Sequence, residues 1–338
     1  MGPRIWMWPK TSPTNKYNEL LSKSLELEGF KVESFRWRKA LKIKKGDILY
    51  FHWIHYDYQH RNILIMIIKS IMLISYFLYL KMIKVKLIWT LHNLYPHKYL
   101  YKGLERIIRN IVLLLTNKIL VASSSIKLDV LREYKFIKEK KIIVVKHGNY
   151  RGAYPEKQID FRERYYIDKN QTVYLFFGAI KQYKGVIDLI EIFKEVANEN
   201  DKLIIAGQPD AEMMIKLKDY LEEDDDRIIF DLRFIPDDEL VPLIRASDFV
   251  VLPFEAITTS GSAILAASYE KIIITVNNPT FKEYFTPRMA IFYNHHSELK
   301  EAIILSHEFQ KDESDYRKFL EETSWEKIRK QIADIIRE

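Results

Sequence analysis

The sequence predicts an α/β protein with two doubly wound domains, because short buried-strand runs alternate with helical patterns along its 338 residues. One observation is the stretch 250–276, where an apolar run ends at Pro253, a small-residue helix follows and Ile272–Val276 forms the next strand. A second observation is another strand, turn and helix between Val173 and Ala197. The length is sufficient for two domains with separate cores.

The composition is typical of a folded soluble protein. Apolar residues make up 48% of the chain and charged residues 29%, and there is no cysteine. Disulfides and cysteine-based metal or nucleophile sites are therefore excluded, and a reducing cytosol is the expected location. The apolar run near the start is too short for a signal peptide, which favours the same expectation.

The charge is distributed unevenly along the chain. Residues 1–155 carry 29 lysines and arginines against 10 acidic residues, a balance of +19, whereas the remainder carries 24 against 36, a balance of −12. A basic surface attracts nucleic acid or an anionic membrane. Because no helix-turn-helix, RRM, zinc-finger or KH pattern is found, an anionic membrane surface is the expected partner and nucleic acid is not.

The chain opens with a strand, a helix and a second strand. These are predicted at Arg4–Trp8, Asn18–Glu28 and Val32–Phe35. Such a βαβ start supports a doubly wound domain. The third strand is predicted at Ile48–His55 and ends in polar and aromatic side chains at the carboxyl edge of the sheet.

A long apolar segment, Ile63–Met82, follows and is interrupted by Lys69. Isoleucine, leucine and tyrosine dominate all of it, so burial in a core cannot account for every face. Three lysines come at its end or directly after it: Lys81, Lys84 and Lys86. We therefore predict an interfacial helix whose apolar face enters anionic lipid headgroups. A helix buried between the sheet and a neighbouring helix is the alternative.

Three further strands complete the first half, at Lys86–Leu91, Lys118–Ala122 and Ile142–Val145. A helix is predicted at Leu104–Leu115, and the serines after the fifth strand cap the next helix. Histidines follow two of these strands: His92 and His97 after the fourth, and His147 after the sixth. A lone histidine after a strand is more often structural than catalytic.

The second half continues the alternation. Strands are predicted at Val173–Phe177, Lys202–Ala206, Phe249–Leu252 and Ile272–Val276, with a short strand framed by Ile228–Phe230 and Phe234–Ile235. Helices are predicted at Val186–Ala197, Glu212–Leu221, Ala263–Ala267 and Ser324–Ile336. The acidic run Glu222–Asp226 lies at a helix end in a solvated turn, so we interpret it as surface and not as a metal site.

Two turns in the second half have features that attract an anion. Gly178–Gly185 holds Lys181 and Lys184 between two glycines after a buried strand. Thr258–Ser262 places hydroxyls and a glycine at a helix start, where free N–H groups and the helix dipole favour negative charge. The pair suits a diphosphate held between the two turns. An ordinary N-cap serine with a tight turn is the alternative for the second of them.

The two turns resemble those of the donor half of GT-B glycosyltransferases, in the large nucleotide-sugar-dependent, family 4-like group. Gly178 matches the leading glycine of the first turn in that group, and Lys184-Gly185 matches its lysine-glycine pair. Gly261 matches the glycine of the second turn. The resemblance is carried by these positions and by the strand, turn and helix order around them.

Three positions depart from the group's pattern. Its usual arginine falls on Ala179, and its two usual glutamates fall on Thr258 and Ala266. Lys181 is expected to supply the missing positive charge. The sequence is more similar to a set of exopolysaccharide and glycolipid hexosyltransferases with a Ser-Gly-Ser donor turn. That set has an arginine before the turn, and this chain has Glu255 at the same position.

The resemblance implies two Rossmann-like domains that face each other across a cleft. Residues 1–155 would form the acceptor and membrane-facing domain, 156–322 the nucleotide-sugar-binding domain, and 323–338 a helix that crosses back to the first. The implied reaction transfers a hexose from a nucleoside-diphosphate sugar to a hydroxyl of a lipid-linked saccharide, without a metal ion or other cofactor. The implied location is the cytosolic face of the membrane.

The resemblance also assigns site residues. The donor-binding residues would be Gly178, Lys181, Lys184, Glu255, Thr259, Ser260, Gly261, Ser262, His147, Gly148 and Ile235. Around the acceptor it would place Asn15, Tyr17 and His97, although turn and helix-start polarity explains Asn15 and Tyr17 equally well. His92 would lie against the donor sugar as a catalytic residue.

The sequence leaves two questions open. A retaining enzyme of this group needs no dedicated protein base, whereas an inverting one would use a base such as Asp57, His55 or His92. The second question is whether the chain is catalytic at all. A GT-B-shaped binding or scaffold subunit is favoured by Ala179, Thr258 and Ala266, and is disfavoured by retention of both donor turns.

Overall fold

The structure, a computed structural model, describes residues 3–12, 15–95, 99–254 and 258–338. The chain forms two compact units, Met1–Gly148 with Thr323–Glu338, and Asn149–Glu322. Each unit contains one six-stranded sheet flanked by helices. The α/β class predicted from the alternating pattern is therefore confirmed. The domain limits implied by the resemblance stay a prediction.

The first unit is built on a parallel sheet. Its strands are β1 (Arg4–Trp8), β2 (Lys31–Ser34), β3 (Ile48–Phe51), β4 (Lys86–Thr90), β5 (Lys118–Val121) and β6 (Ile142–Val144). Their order is β2-β1-β3-β4-β5-β6. The direction of winding changes between β1 and β3, and ligands of open α/β sheets bind outside the carboxyl ends of the strands at such a point.

Helices cover both faces of this sheet. They are α1 (Tyr17–Leu27), α2 (His55–Tyr58), α3 (Ile63–Met82), α4 (Lys102–Leu115), α5 (Ser124–Glu133) and, from the end of the chain, α14 (Trp325–Arg337). The sequence predicted α3 with these same bounds. The Asn62 side chain fixes its start by accepting hydrogen bonds from the N–H groups of Leu64 and Ile65.

Side-chain alternation along the strands builds two cores in the first unit. On one face Trp6, Leu49 and Trp89 pack with buried residues of α3, α4 and α5. On the other face Met7 and Tyr50 pack with α1 and α14. The terminal helix α14 is thus part of the first unit's core.

The end of the third strand differs from the prediction. The strand stops at Phe51 and not at His55, and the chain turns directly into the short helix α2. The carbonyl of His52 accepts hydrogen bonds from the indole of Trp89 at 2.7 Å and from the Ile54 N–H at 2.9 Å. These bonds take the chain out of the sheet, which periodicity alone does not reveal.

The second unit has the strand order typical of dinucleotide-binding sheets. Its strands are β7 (Thr172–Phe177), β8 (Asp201–Ala206), β9 (Ile228–Asp231), β10 (Phe249–Leu252), β11 (Ile272–Val276) and β12 (Ala290–Tyr293). They are parallel in the order β12-β11-β10-β7-β8-β9. The change in winding direction lies between β7 and β10, the strands that precede the two predicted donor turns.

The helices of the second unit include several that the sequence did not predict. They are α6 (Phe161–Arg164), α7 (Val186–Val196), α8 (Ala211–Glu222), α9 (Asp237–Ala246), α10 (Gly261–Ser268), α11 (Pro279–Lys282), α12 (Leu299–Ser306) and α13 (Glu313–Glu322). The segment 151–170 contains α6, which Asp160 caps. Strand β12 and helices α11 to α13 were also missed. The predicted short strand is β9 and ends at Asp231, before Phe234.

Candidate active site

The first donor turn follows β7 at the change in winding direction. Gly178 has a φ of 106°, in the region that favours glycine. At the end of the neighbouring strand, a β-carbon added to Gly207 would overlap the Gly178 carbonyl oxygen. The turn is also held by the Ile180 N–H, which donates to the carbonyl of Gln208 at 3.0 Å. Gly207 is therefore needed to bring the two strand ends together, a role that sequence reasoning missed.

Lys184 ends this turn, and its ammonium group lies against aromatic rings. Its Nζ is 5.7 Å from the ring centre of Phe176 and 5.9 Å from that of Phe254. Burial, with a smaller effect of the Lys181 charge, lowers the pKa of Lys184 to about 8. No described carboxylate forms an ion pair with this ammonium. A half-buried cation in this state gains from an anionic ligand.

The second donor turn leads into α10. The Ser260 Oγ accepts a hydrogen bond from the Ala263 N–H at 3.1 Å, so the serine caps the helix. An N-cap serine was the alternative prediction for this turn. Gly261 and Ser262 are the first two residues of α10, and Thr259 lies just before the cap. The first N–H groups of a helix have no partner within it, so this start is suited to an anion. Glu255 lies outside the described residues.

The two turns meet at Gly178. A β-carbon added there would lie 3.3 Å from Lys184 Nζ and 3.8 Å from Ser262 Oγ. This convergence follows from the pairing of β7 with β10, which places both turns at the same carboxyl edge. Lys181 is exposed at the same turn. Ile235 is half-buried just before α9.

In the first unit, a cluster of imidazole and aromatic rings lies at the carboxyl edge. His52 Nδ1 and His92 Nε2 are 3.1 Å apart, and Tyr17 packs its ring against both histidines. The Tyr17 ring centre is 4.4 Å from that of His147. Tyr17 is the first residue of α1 and is buried. Asn15 accepts the Tyr17 N–H at 2.7 Å and so supports the helix start.

The histidines of this cluster are neutral at physiological pH. Burial lowers the pKa of His52 to about 3. Burial and then the neighbouring His52 and His147 hold the pKa of His92 well below its usual range. Burial also lowers the pKa of His147 to about 4, against the opposing effect of its hydrogen bond to the Gly148 carbonyl.

The partners of His52 determine which nitrogens carry protons. Its Nε2 lies 3.3 Å from the sulfur of Met7, which can accept a hydrogen bond but has no hydrogen to donate. His52 Nε2 therefore carries the proton, and its Nδ1 accepts from Nε2–H of His92. This leaves Nδ1 of His92 as a hydrogen-bond acceptor. Since His92 is partly exposed, that nitrogen is suited to receive a ligand hydroxyl.

The tautomer of His92 can be tested directly by ¹⁵N NMR of the histidine ring nitrogens. In the wild-type protein we expect the His92 proton on Nε2. His52→Leu removes the acceptor, and loss of about 1 kcal/mol of hydrogen-bond energy should change the tautomer ratio about fivefold. His52→Gln keeps a carbonyl acceptor and should preserve the wild-type ratio. A wild-type His92 that carries its proton on Nδ1 would contradict the assignment.

Gly148 has a structural role in the first unit. A β-carbon at this position would overlap the indole of Trp325 in α14. The predicted function of Gly148, to let backbone approach a nucleotide sugar, stays a prediction. The packing of Trp325 supplies a second reason for glycine here. His97, placed by the resemblance near the acceptor, lies outside the described residues.

A cavity of about 330 Å³ opens at the change in winding direction of the first sheet. The residues that line it are the last residue of β1 and residues that follow β1 and β3: Trp8, Pro9, Thr11, Ser12, Trp53, Ile54, Tyr56 and Asp57. Trp53 also stacks on His92, with ring centres 4.5 Å apart and planes at 15°. The cavity therefore adjoins the histidine cluster. Aromatic walls with a few polar groups are typical of small-molecule sites.

Among the described residues that line this cavity, Asp57 is the one carboxylate. The indole N–H of Trp37 donates to its Oδ1 at 3.3 Å. Burial raises the pKa of Asp57 to about 6, against the smaller opposing effects of Trp37 and the Lys69 charge. The carboxylate is thus deprotonated near neutral pH and more basic than an exposed aspartate, which suits a general base. His55, the other candidate on α2, packs its ring against Tyr56.

No group of three or more histidine, aspartate or glutamate side chains that could hold a metal ion occurs among the described residues. The acidic run 222–226 forms ion pairs with four basic residues: Lys194, Lys202, Lys218 and Arg227. These pairs agree with its interpretation as surface.

Comparison with known proteins identifies the family. A profile of the family described as "Glycosyl transferases group 1" matches residues 157–332, which is more than half of the chain. The chain belongs to this family. The glycosyltransferase class predicted from the two donor turns is confirmed. The matched residues include β7, β10 and both turns.

The relatives of this glycosyltransferase agree with that assignment. A GDP-mannose:glycolipid 4-beta-D-mannosyltransferase from Xanthomonas campestris pv. campestris is 24% identical over 287 residues, which are 83% of this chain and 76% of the relative. Anabaena Alr3699/HepE in complex with UDP superposes with a TM-score of 0.73 at 12% identity over 99% of each chain. Sucrose-phosphate synthase from Thermosynechococcus elongatus gives a TM-score of 0.77 at 13% identity, over 100% of this chain and 98% of the other. The predicted GT-B class is confirmed by these structures.

Proposed function

We propose that this glycosyltransferase transfers a hexose from a nucleoside-diphosphate sugar to a hydroxyl of a lipid-linked saccharide, in polysaccharide or glycolipid biosynthesis at the cytosolic face of the membrane. The observation that carries the proposal is the convergence of Lys184 and Ser262 at Gly178. It is supported by the relative named for GDP-mannose and a glycolipid, and by the UDP complex of HepE.

The donor turns would act on the leaving group. As the bond from the sugar to the diphosphate breaks, negative charge grows on the β-phosphate and must be stabilised. Lys184 would supply a positive charge, and the Ser262 hydroxyl and the N–H groups at the start of α10 would supply hydrogen bonds. Because these groups neutralise the diphosphate, the reaction would need no metal ion. Activity that persists after metal is removed with EDTA would support this part of the proposal, and loss of activity restored by a divalent cation would contradict it.

The cavity beside His92 would hold the acceptor sugar. Aromatic rings such as Trp53 and Tyr56 can pack on the apolar face of a sugar, while polar groups bind its hydroxyls. Asp57 would take the proton from the attacking hydroxyl as the hydroxyl oxygen bonds to the anomeric carbon and the diphosphate leaves. This role makes the reaction inverting, because the acceptor attacks the face opposite the leaving group. His92 would orient a sugar hydroxyl through its free Nδ1.

The direct test is a thermal shift with candidate donors. We expect one of GDP, UDP or ADP, and its sugar, to raise the melting temperature, because a ligand that binds only the folded state stabilises it by mass action. Transfer of a labelled hexose to a glycolipid extract then separates an enzyme from a binding or scaffold subunit. A nucleotide shift without any transfer or donor hydrolysis would favour the non-catalytic alternative, which the departures at Ala179 and Thr258 also favour.

Donor affinity is expected to fall as the pH rises through about 8. The charged form of Lys184 binds the diphosphate, and its pKa of about 8 means that the free protein loses this charge above that pH. The dissociation constant of the nucleoside diphosphate, measured by calorimetry, should rise up to tenfold for each pH unit above that value.

Two lysine variants serve as controls for this pH dependence. Lys184→Gln should weaken binding at pH 7 by about 10- to 100-fold, or about 1.5–3 kcal/mol. It should also remove the rise of the dissociation constant above about pH 8. Lys181→Ala, at an exposed position, should weaken binding only a few-fold and keep the fall in affinity with pH, moved to a slightly higher pH because the Lys181 charge lowers the pKa of Lys184. A wild-type affinity that is constant between about pH 7 and pH 9 would contradict the role of Lys184.

A further inference from the structure

The outward side of α3 is apolar along most of its length. Its exposed residues include Leu64, Ile68, Ile71, Leu78 and Met82, which recur at spacings of three, four and seven and so share one side of the helix. Ile68 and Ile71 are 58% and 59% exposed. A continuous exposed apolar strip is rare on soluble proteins and marks an interaction surface. We call this strip the α3 outer face.

The opposite side of α3 belongs to the core of the first unit. Met66, Leu73, Phe77 and Leu80 are fully buried there, together with side chains of the sheet and of α4. Among the described residues, α3 is the one helix long and apolar enough to cross a membrane. Crossing would remove these four side chains from the core and expose to water the apolar side chains of the sheet and α4 that pack against them, at a cost of about 1.5–3 kcal/mol for each side chain so exposed. The helix is therefore expected to stay on its sheet and lie along a surface.

The chain around α3 is basic in sequence, and Arg61, Lys81 and Lys84 are exposed at or next to the two ends of the helix. No acidic residue occurs between Asp57 and Glu105, a span that contains α3 and seven lysines and arginines. The segment 34–46 likewise holds six basic residues and no acidic one. The Tyr76 hydroxyl of α3 donates to the Ala40 carbonyl at 3.0 Å, which holds the short helix Trp37–Lys42 beside α3. Leu41 on that short helix is 86% exposed.

An apolar strip bordered by cations matches the surface of an anionic bilayer. The acyl region receives the apolar side chains, and the headgroups carry the charge opposite to the lysines. A second protein surface of the same apolar character would leave these cations without partners. We infer that the α3 outer face is a lipid-binding surface, on which α3 lies parallel to the membrane plane with Leu41 inserted beside it.

This orientation adds to the proposed function. It rests on that function in taking the cavity with Asp57 as the acceptor site. Helix α2, which carries Asp57, packs against α3, and α3 begins only a few residues after Asp57. The cavity with Asp57 would then lie close to the headgroup layer. A lipid-linked saccharide could reach this cavity while its lipid stays in the bilayer.

Vesicle flotation tests the lipid-binding surface without any substrate. The full chain is mixed with vesicles of phosphatidylcholine alone, or with about a third of phosphatidylglycerol, at low and high salt. We expect binding to the anionic vesicles that falls several-fold as salt rises, because exposed charges are screened. The double variant Ile68→Asn/Ile71→Asn should bind at least tenfold less.

A matched control comes from the second unit. Met214 and Ile215 are also exposed apolar residues on a helix, α8, and the double variant Met214→Asn/Ile215→Asn should bind vesicles like the wild type. Both double variants should keep the wild-type melting temperature and the wild-type shift with the nucleoside diphosphate. These readouts distinguish loss of lipid binding from failure of the proposed transfer reaction.

Three results would overturn the inference. Equal flotation with neutral vesicles, or flotation by Ile68→Asn/Ile71→Asn at the wild-type level, would show that this face does not bind anionic lipid. A dimer in solution that the same double substitution dissociates, with no vesicle binding, would assign the face to a second copy of the chain.

Discussion

Asp57→Asn is expected to reduce the rate of hexose transfer about 10²- to 10⁴-fold while leaving the affinity for the nucleoside diphosphate unchanged. The amide cannot accept the proton of the attacking hydroxyl, but its carbonyl can still accept the hydrogen bond from the Trp37 indole at 3.3 Å. The fold around the cavity is therefore preserved. The measurement is the rate of transfer at saturating donor, together with the thermal shift given by the nucleotide.

The pH profile gives the same prediction a second readout. Protonation inactivates a general base, so the wild-type kcat/KM should fall as the pH drops through about 6, the pKa to which burial raises Asp57. In Asp57→Asn this acid limb should disappear. An exposed aspartate of ordinary pKa would instead place the limb near pH 4.

Asp47→Asn is the matched control for this prediction. Asp47 is a second aspartate of the first unit that accepts an indole N–H, from Trp6 at 2.9 Å, but it does not line the cavity. Its amide variant should transfer at the wild-type rate. If Asp57→Asn also transfers within a few-fold of the wild type, Asp57 is not the base, and the retaining alternative, which needs no protein base, is favoured.

Local patterns in the sequence were sufficient to predict most of the regular elements. The bounds of α3 and β11 were predicted correctly because a long apolar run and a short β-branched run are strong local signals. The two donor turns could also be predicted, since glycine and lysine between a strand and a helix have a direct physical meaning. Strand β12 was missed because Ala290–Tyr293 is a short run with no distinctive flanking residues.

The contacts that shape the site could not be predicted in this way. The contact between His52 and Met7 and the stacking of Trp53 on His92 join residues that are distant in sequence, and the latter depends on the pairing of β3 with β4. Gly207 was overlooked because the need for glycine at this position comes from the carbonyl of Gly178, which is distant in sequence, and not from the residues next to it. The raised pKa of Asp57 likewise depends on burial, which only the folded chain defines.

Gly261→Val is expected to lower the affinity for the donor at least 100-fold, to the point where binding is lost, in a protein that still folds cooperatively. Gly261 is the first residue of α10, and the proposed β-phosphate site lies at this helix start beside Lys184 and Ser262. A valine side chain would occupy the space that the phosphate needs. The helix propensity of valine lies within about 1 kcal/mol of that of alanine, so the free energy of unfolding should change little. Thermal shift with the free nucleoside diphosphate measures the loss.

Gly103→Val is the matched control, because Gly103 also lies in the first turn of a helix, α4, and a β-carbon there meets no atom within 4 Å. This variant should keep the full nucleotide shift. Glu255→Ala, at a residue that the resemblance assigns to the sugar, should alter the preference among donor sugars and keep the shift with the free nucleotide. A full shift in Gly261→Val would place the diphosphate elsewhere. Loss of the free-nucleotide shift in Glu255→Ala would instead assign that residue to the diphosphate, since the free nucleotide has no sugar for it to contact.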